Sequence, residues 1–181
     1  MGLYFITGNK NKFLQVKNIF SPEIKIEQLE IDLIEIQDLD AKKIIEHKLL
    51  EAQKHHSGEF LVEDTSLYLD ALNGLPGPLI KWFWKSLGPS GIYDLTKKMG
   101  ESKAKAVSIF GYSGGKEIQF FSGEVIGEIA KPGKDDGFGW NRIFQPKGSN
   151  KVLSDMPFEE IVAVGMRKKA LEKFKEYYLK K

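Results

Sequence analysis

Apolar residues recur along this chain with two distinct periods, and each change of period marks an element. LYFIT (Leu3 to Thr7) is a short apolar run and predicts a buried strand. GNKNK breaks it, and the next apolar residues, Phe13, Val16 and Phe20, fall at helical spacing. KIEQLEIDLIEI (Lys25 to Ile36) alternates and is rich in isoleucine, which predicts another strand. Helical spacing returns over Ala41 to His56, with Ala41, Ile44, Ile45, Leu49 and Ala52 in one stripe. FLVEDTSLYLDAL (Phe60 to Leu72) opens as an apolar strand and then turns acidic, so Glu63 and Asp64 are expected just past its end. LPGPLIKWFWKSL predicts a proline-rich turn followed by a helix. Ala104 to Ala130 alternates on both sides of Ser113-Gly114-Gly115, a strong hairpin signal. An amphipathic helix is expected over Arg167 to Leu179.

This order predicts an α/β fold with a mixed sheet, in which sites lie beyond the carboxyl ends of strands. With 181 residues, the chain fits a single domain spanning 1–181 or a domain with two lobes. A net charge of +2, from 27 basic and 25 acidic residues, argues against a dedicated nucleic-acid binder. The absence of cysteine excludes disulfides, thiolate catalysis and cysteine-based zinc sites. MGLYFITGNK has neither a basic n-region nor a long apolar run, and nothing in the chain has the length of a membrane span. A cytoplasmic location is therefore the default expectation.

Candidate chemistry follows the strands. TGNKNK (Thr7 to Lys12) joins a strand to a helix, where backbone N–H groups favour anions and Gly8 lets a ligand approach. It reads either as a phosphate cradle or as a polar turn with solvated lysines, and it is not a Walker A motif. Lys48 falls within an apolar helical stripe, so it must reach water along its stem or meet an anion. Glu63 and Asp64 follow one strand and Glu35 another, and such converging carboxylates suit a hard cation such as magnesium, or they are capping and surface acids. His47, His55 and His56 share one helix without a paired i, i+4 arrangement and read as solvated. GFGWNRIF (Gly137 to Phe144) sets two bulky aromatics on a glycine-rich backbone. They either wall a nucleobase or belong to a core strand end.

Taken together, TGNKNK, IDL-x-E (Ile31 to Glu35), VEDTSL at Val62, GLPGPLIKWF at Gly74 and FGWNRIFQP at Phe138 resemble the inosine triphosphate pyrophosphatase (ITPase) family, over nearly the whole chain. The resemblance implies an elongated mixed β-sheet with flanking helices, in two lobes around a central cleft, and a homodimer. It implies magnesium-dependent hydrolysis of a nucleoside triphosphate to a monophosphate and pyrophosphate, in the service of clearing ITP, dITP and XTP. By position, Thr7, Gly8, Asn9 and Lys12 would hold the triphosphate and Lys48 would reach its phosphates. Glu35 and Asp64 would bind metal, and Asp64 would also activate or orient water. Thr65 and Lys81 would line the substrate cleft, Phe138, Gly139, Trp140 and Asn141 would lie at the base, and Arg167 would complete the substrate set.

The chain also departs from that pattern. Where the family reads F-G-[YW]-D-P, this chain has Asn141 and Arg142. Where it reads E-K-N-x-x-S-H-R, this chain has Glu160 to Arg167, with Ile161, Gly165 and Met166 replacing the polar residues that help recognise a 6-oxo purine. A site that loses hydrogen-bond donors loses discrimination. The expectation is a pyrophosphatase with altered or relaxed base selectivity; the alternative is a nucleotide-binding sensor or inactive homologue without turnover.

Overall fold

The computed structural model describes residues 2–31, 33–115, 117–135 and 139–181. Its elements are β1 (Leu3–Ile6), α1 (Lys10–Phe20), β2 (Ile26–Leu29), α2 (Ala41–His55), β3 (Glu59–Leu69), β4 (Pro76–Gly77), α3 (Ile80–Met99), β5 (Lys103–Ser113), β6 (Ile118–Ile129), β7 (Phe144–Pro146), α4 (Phe158–Val164) and α5 (Met166–Leu179). The strands form one mixed sheet in the order β2-β1-β3-β5-β6-β7, with β4 beside β3. β1 runs parallel to β2 and β3, while β4 and β7 pair antiparallel to their neighbours. The predicted α/β class and hairpin are both present.

The chain divides into two compact units. The first comprises Met1–Thr65, Ser108–Gly123 and Arg167–Lys181, and the second Ser66–Val107 and Glu124–Met166.

In the first unit the sheet carries helices on both faces, and strand alternation sorts its residues between them. Leu3, Phe5, Leu61, Phe110 and Tyr112 pack with Val16 and Phe20 of α1 and with Leu171 and Phe174 of α5. The intervening residues Tyr4, Ile6, Phe60, Val62 and Ile109 pack instead with Ile45, Leu49 and Ala52 of α2. The predicted stripe on α2 is therefore buried throughout. Gln53 of α2 donates to Ser113 Oγ at 2.6 Å, and that oxygen accepts from the Gly115 N–H at 3.2 Å, which pins the hairpin turn to the helix.

Gly111 lies beneath Ile45 and Leu49 of α2. A Cβ there would sit 2.1 Å from Ile45 Cγ2 and 3.0 Å from Leu49 Cδ1. Both neighbours are fully buried, so the Gly111→Ala variant should lose about 1–3 kcal/mol to overpacking, measured by denaturant unfolding.

In the second unit, Leu67 and Leu69 of β3, Ile80 and Ile92 of α3, and Phe144 of β7 form the core with Trp140 and Met166. The long helix α3 is kinked at Gly88 (φ 65°, ψ 179°), just before Pro89. A positive φ suits glycine, and proline at the next position cannot continue the ladder, so the sequence itself dictates the break.

Two expectations fail in the first unit. The alternation over Lys25 to Ile36 yields a strand only at Ile26–Leu29. Its partner β1 is four residues long, pairing Leu3 with Ile26 through Ile6 with Leu29, so the later residues have no ladder to join. Ile34 and Leu39 are instead exposed. Glu63 and Asp64 lie inside β3 rather than past its end, because burial and alternation continue to Leu69. The helix α4 and the strand β7 are short elements that periodicity did not reveal.

Candidate functional site

The first unit gathers most of the candidate residues around β1, β3 and the helix starts. Asn9 caps α1: its Oδ1 accepts from the Lys12 N–H at 3.1 Å, and Thr7 Oγ1 accepts from the Asn9 N–H at 3.1 Å. This explains why the sequence turns into a helix there. The first turn of α1 contains no acid. Lys10 and Lys12 thus add positive charge to the positive end of the helix dipole, which suits an anion. A Cβ on Gly8 would meet nothing within 4 Å, so open space lies over the loop.

Lys12 points to β3. Its ammonium lies 3.2 Å from Glu63 Oε2 and 3.5 Å from Thr65 Oγ1. Glu63, whose side chain is 1% exposed, also accepts from Ser108 Oγ at 2.6 Å and from Arg167 Nε at 2.7 Å. Arg167 further donates to Gln15 Oε1 of α1. Burial pushes the Glu63 carboxyl up, but the Arg167 guanidinium and then the Lys12 ammonium outweigh it and hold the pKa down to about 2 from 4.5. The carboxylate is charged at neutral pH, and it neutralises one of the two cations it holds.

Across the sheet, Lys48 of α2 meets an anion, as its place in the stripe requires. Its Nζ lies 3.0 Å from Glu35 Oε2, in the irregular segment after β2. Asp64 is 8% exposed. By strand alternation it shares the α2 face of β3 with Phe60 and Val62, while Glu63 and Thr65 share the opposite face with Leu61. Adjacent acids thus address opposite sides of the sheet. Among the described residues no three or more acidic or histidine side chains cluster as a ready metal cage.

The remaining candidates belong to the second unit. Lys81 is exposed, with its ammonium over the Trp82 ring at 5.8 Å. Gly139, Trp140, Asn141 and Arg142 form a 3-10 turn, and Gly139 has φ 53°. Trp140 is buried in the core, edge-on to Phe144 at 5.8 Å between centroids. Arg142 pairs with Asp135. Phe138 lies outside the described residues. Met166 packs into the same core, with the partly buried Ile161 against it. A Cβ on Gly165 would sit 2.7 Å from the Ile161 carbonyl oxygen, so a serine there would need that backbone to move.

Two residues depart from the sequence reading. His47 is not simply solvated: its Nδ1 is buried and has no hydrogen-bond partner among the described residues. Glu63 is expected from the sequence beside Asp64 and Glu35 as a candidate metal-binding acid, whereas its carboxylate is held by Lys12, Ser108 and Arg167. A charge following Phe60-Leu61-Val62 inside a core strand must find partners, and that was the available signal.

The Ham1 family model matches residues 3–177. Inosine triphosphate pyrophosphatase of Schizosaccharomyces pombe is 39% identical over 177 residues, covering 97% of this chain and 94% of that protein. The protein of the same name from Neurospora crassa is 41% identical over 178 residues, covering 97% and 92%. Among solved structures, a HAM1 protein from Coxiella burnetii superposes with a TM-score of 0.81 at 17% identity, covering 100% of each chain. The Staphylococcus aureus Ham1 protein gives a TM-score of 0.76 at 22% identity, covering 97% of each chain. At those identities the two structures speak to the fold alone. The full-length family match and the two closely similar sequences lead to one conclusion: this chain belongs to the Ham1 family.

Proposed function

We propose that this protein is a magnesium-dependent nucleoside-triphosphate pyrophosphatase that clears non-canonical nucleotides, with base selectivity altered from that of its relatives. Family membership and the relatives' shared name support hydrolysis of nucleoside triphosphates. The observation that carries the reading is a pair of sequestered lysines. Lys12 and Lys48, with side chains 19% and 15% exposed, come from different helices and are each held by a carboxylate of the first unit. Sequestered cations of this kind are suited to a polyanion.

In this reading Thr7, Gly8 and Asn9 receive phosphate at the start of α1, and Lys12, Lys48 and Arg167 neutralise its charge. Asp64 orients a water and accepts its proton as the water oxygen bonds to the α-phosphorus. The bond from that phosphorus to the bridging oxygen breaks, and pyrophosphate leaves with the electron pair. Magnesium fits the donor chemistry, because it takes one or two carboxylates together with substrate phosphate and water rather than a full protein cage. Glu35 and Asp64 would hold it, and it would supply charge neutralisation at the phosphates. Thr65, Lys81 and Asn141 belong to the substrate side of the same reading, while the Trp140 ring packs in the core of the second unit.

The apolar packing of Met166 and of the partly buried Ile161 supports altered selectivity, since neither side chain offers a hydrogen bond to a purine edge. A homodimer remains part of the reading, and Leu75 and Leu87 of the second unit are exposed apolar side chains. Among the described residues no helix is long and apolar enough to cross a membrane.

Pyrophosphate release should be measured with magnesium across ITP, dITP, XTP and the common and modified nucleotides. The expected result is monophosphate plus pyrophosphate, with ITP and XTP favoured only weakly over ATP and GTP. A strong ITP and XTP preference would sink the altered selectivity, and no release from any nucleotide would sink the activity.

A further inference from the structure

We infer that Glu63 is a positioning residue, whose buried carboxylate fixes the Lys12 ammonium and the Arg167 guanidinium in one arrangement for the triphosphate. This rests on the reading above, in which those two cations meet phosphate. The carboxylate is 1% exposed, so it acts through its partners rather than on substrate.

Three elements converge on it. Lys12 comes from α1, Ser108 from β5 and Arg167 from α5, while Glu63 itself lies in β3. Each cation also has a second partner. Lys12 reaches Thr65 Oγ1 at 3.5 Å, and Arg167 donates to Gln15 on the same helix as Lys12. Long side chains that would otherwise sample many rotamers are held before any ligand arrives.

Stability alone is a poor reason for this arrangement. Buried charges bring a desolvation cost, and well-packed apolar residues of similar volume often match or exceed a buried ion pair. The neighbouring residue on the same face, Leu61, is fully buried among aliphatic and aromatic side chains, so an apolar solution was at hand. Two positive charges against one negative leave a net charge of about +1 in a low-dielectric setting, which is charge reserved for an anion. The Glu63 carboxylate therefore sets where that positive charge sits, and preorganised charge accelerates phosphoryl chemistry because it need not reorganise during the reaction.

The test is steady-state kinetics of pyrophosphate release with a thermal melt for each variant. Glu63→Gln keeps the shape but places an amide toward the Lys12 ammonium. It should lose roughly 10- to 100-fold in kcat, with KM changed about threefold or less, since small displacements of positioned groups are costly in rate. Glu63→Asp keeps the charge and should recover part of that loss. In a double-mutant cycle with Lys12→Met, the two losses should be non-additive. Glu63→Gln with wild-type kcat, or losses that simply multiply across the cycle, would overturn the inference. If Glu63→Gln does not fold, Ser108→Ala serves instead. It removes one bond to the carboxylate and should lower kcat several-fold in folded protein, and an unchanged kcat overturns the inference. A wild-type protein that releases no pyrophosphate overturns the underlying reading instead, so the two failures are told apart.

Discussion

Asp64→Asn should leave a folded protein that releases pyrophosphate about 100- to 10,000-fold more slowly, the range lost when a positioned general acid or base is removed. The substitution preserves the shape of the side chain and changes one oxygen to an amide nitrogen. It removes the proton acceptor for the attacking water and one anionic oxygen for magnesium. Because Asp64 is 8% exposed within β3, melts should accompany the kinetics, so that loss of chemistry is separated from loss of fold. Nucleotide binding, measured by calorimetry, should survive through Lys12, Lys48 and Arg167. A variant that keeps more than a tenth of the wild-type rate would remove Asp64 from the mechanism. The same experiment separates an enzyme from a nucleotide sensor, which has no turnover to lose.

The second large effect is on stability. Glu63→Ala should destabilise the protein by roughly 3–5 kcal/mol, because it strands buried positive charge that the carboxylate now pairs. For a chain of this size that corresponds to a fall in Tm of about 6–20 °C. The pH dependence has a definite sign. The Glu63 pKa is depressed from 4.5 to about 2 in the folded state, with Arg167 and Lys12 together outweighing the cost of burial. Its stabilisation is therefore complete above pH 4.5 and is lost as the pH falls from 4.5 towards 2. Other acids contribute in the same range. Glu59, held by Lys181 and Tyr178, also has its pKa lowered despite desolvation. The informative quantity is therefore the difference in Tm between wild type and Glu63→Gln, which should shrink steadily between pH 4.5 and 2. A difference independent of pH would mean that the carboxylate gains no stability from its charge.

The helices were legible because burial on one face repeats with the helix's own period. Ala41, Ile44, Ile45, Leu49 and Ala52 declare α2 without reference to the rest of the chain. A strand is different, since its existence depends on a partner backbone that local pattern does not contain. Ile31 to Ile36 are at least as rich in strand-forming residues as Ile26 to Leu29, yet only the latter pair with β1. Lys48 was legible as a misfit in an apolar stripe, and the misfit is resolved by Glu35. Glu63 was harder to read. Its partners Lys12, Ser108 and Arg167 lie 51, 45 and 104 residues away, so only the folded chain shows that they converge. The aromatic loop was legible as a pair of alternatives, and for Trp140 the structure places the ring in the core beside Phe144.

The opposite facing of Glu63 and Asp64 has a consequence for how β3 can change. Neighbouring residues in a strand are assigned their partners by odd or even position, so the two acids are distinguished by parity alone. An indel of one residue before Val62, absorbed without a bulge, would exchange them. Asp64 would inherit the cations of α1 and α5, and Glu63 would turn towards α2. Substitutions that keep the count can be repaired one side chain at a time, whereas a change of count reassigns every side chain downstream at once. Insertions and deletions should therefore be far rarer in this strand than in the irregular segment around Glu35. Grafting VEDT into another sheet would require matching its phase before matching its residues.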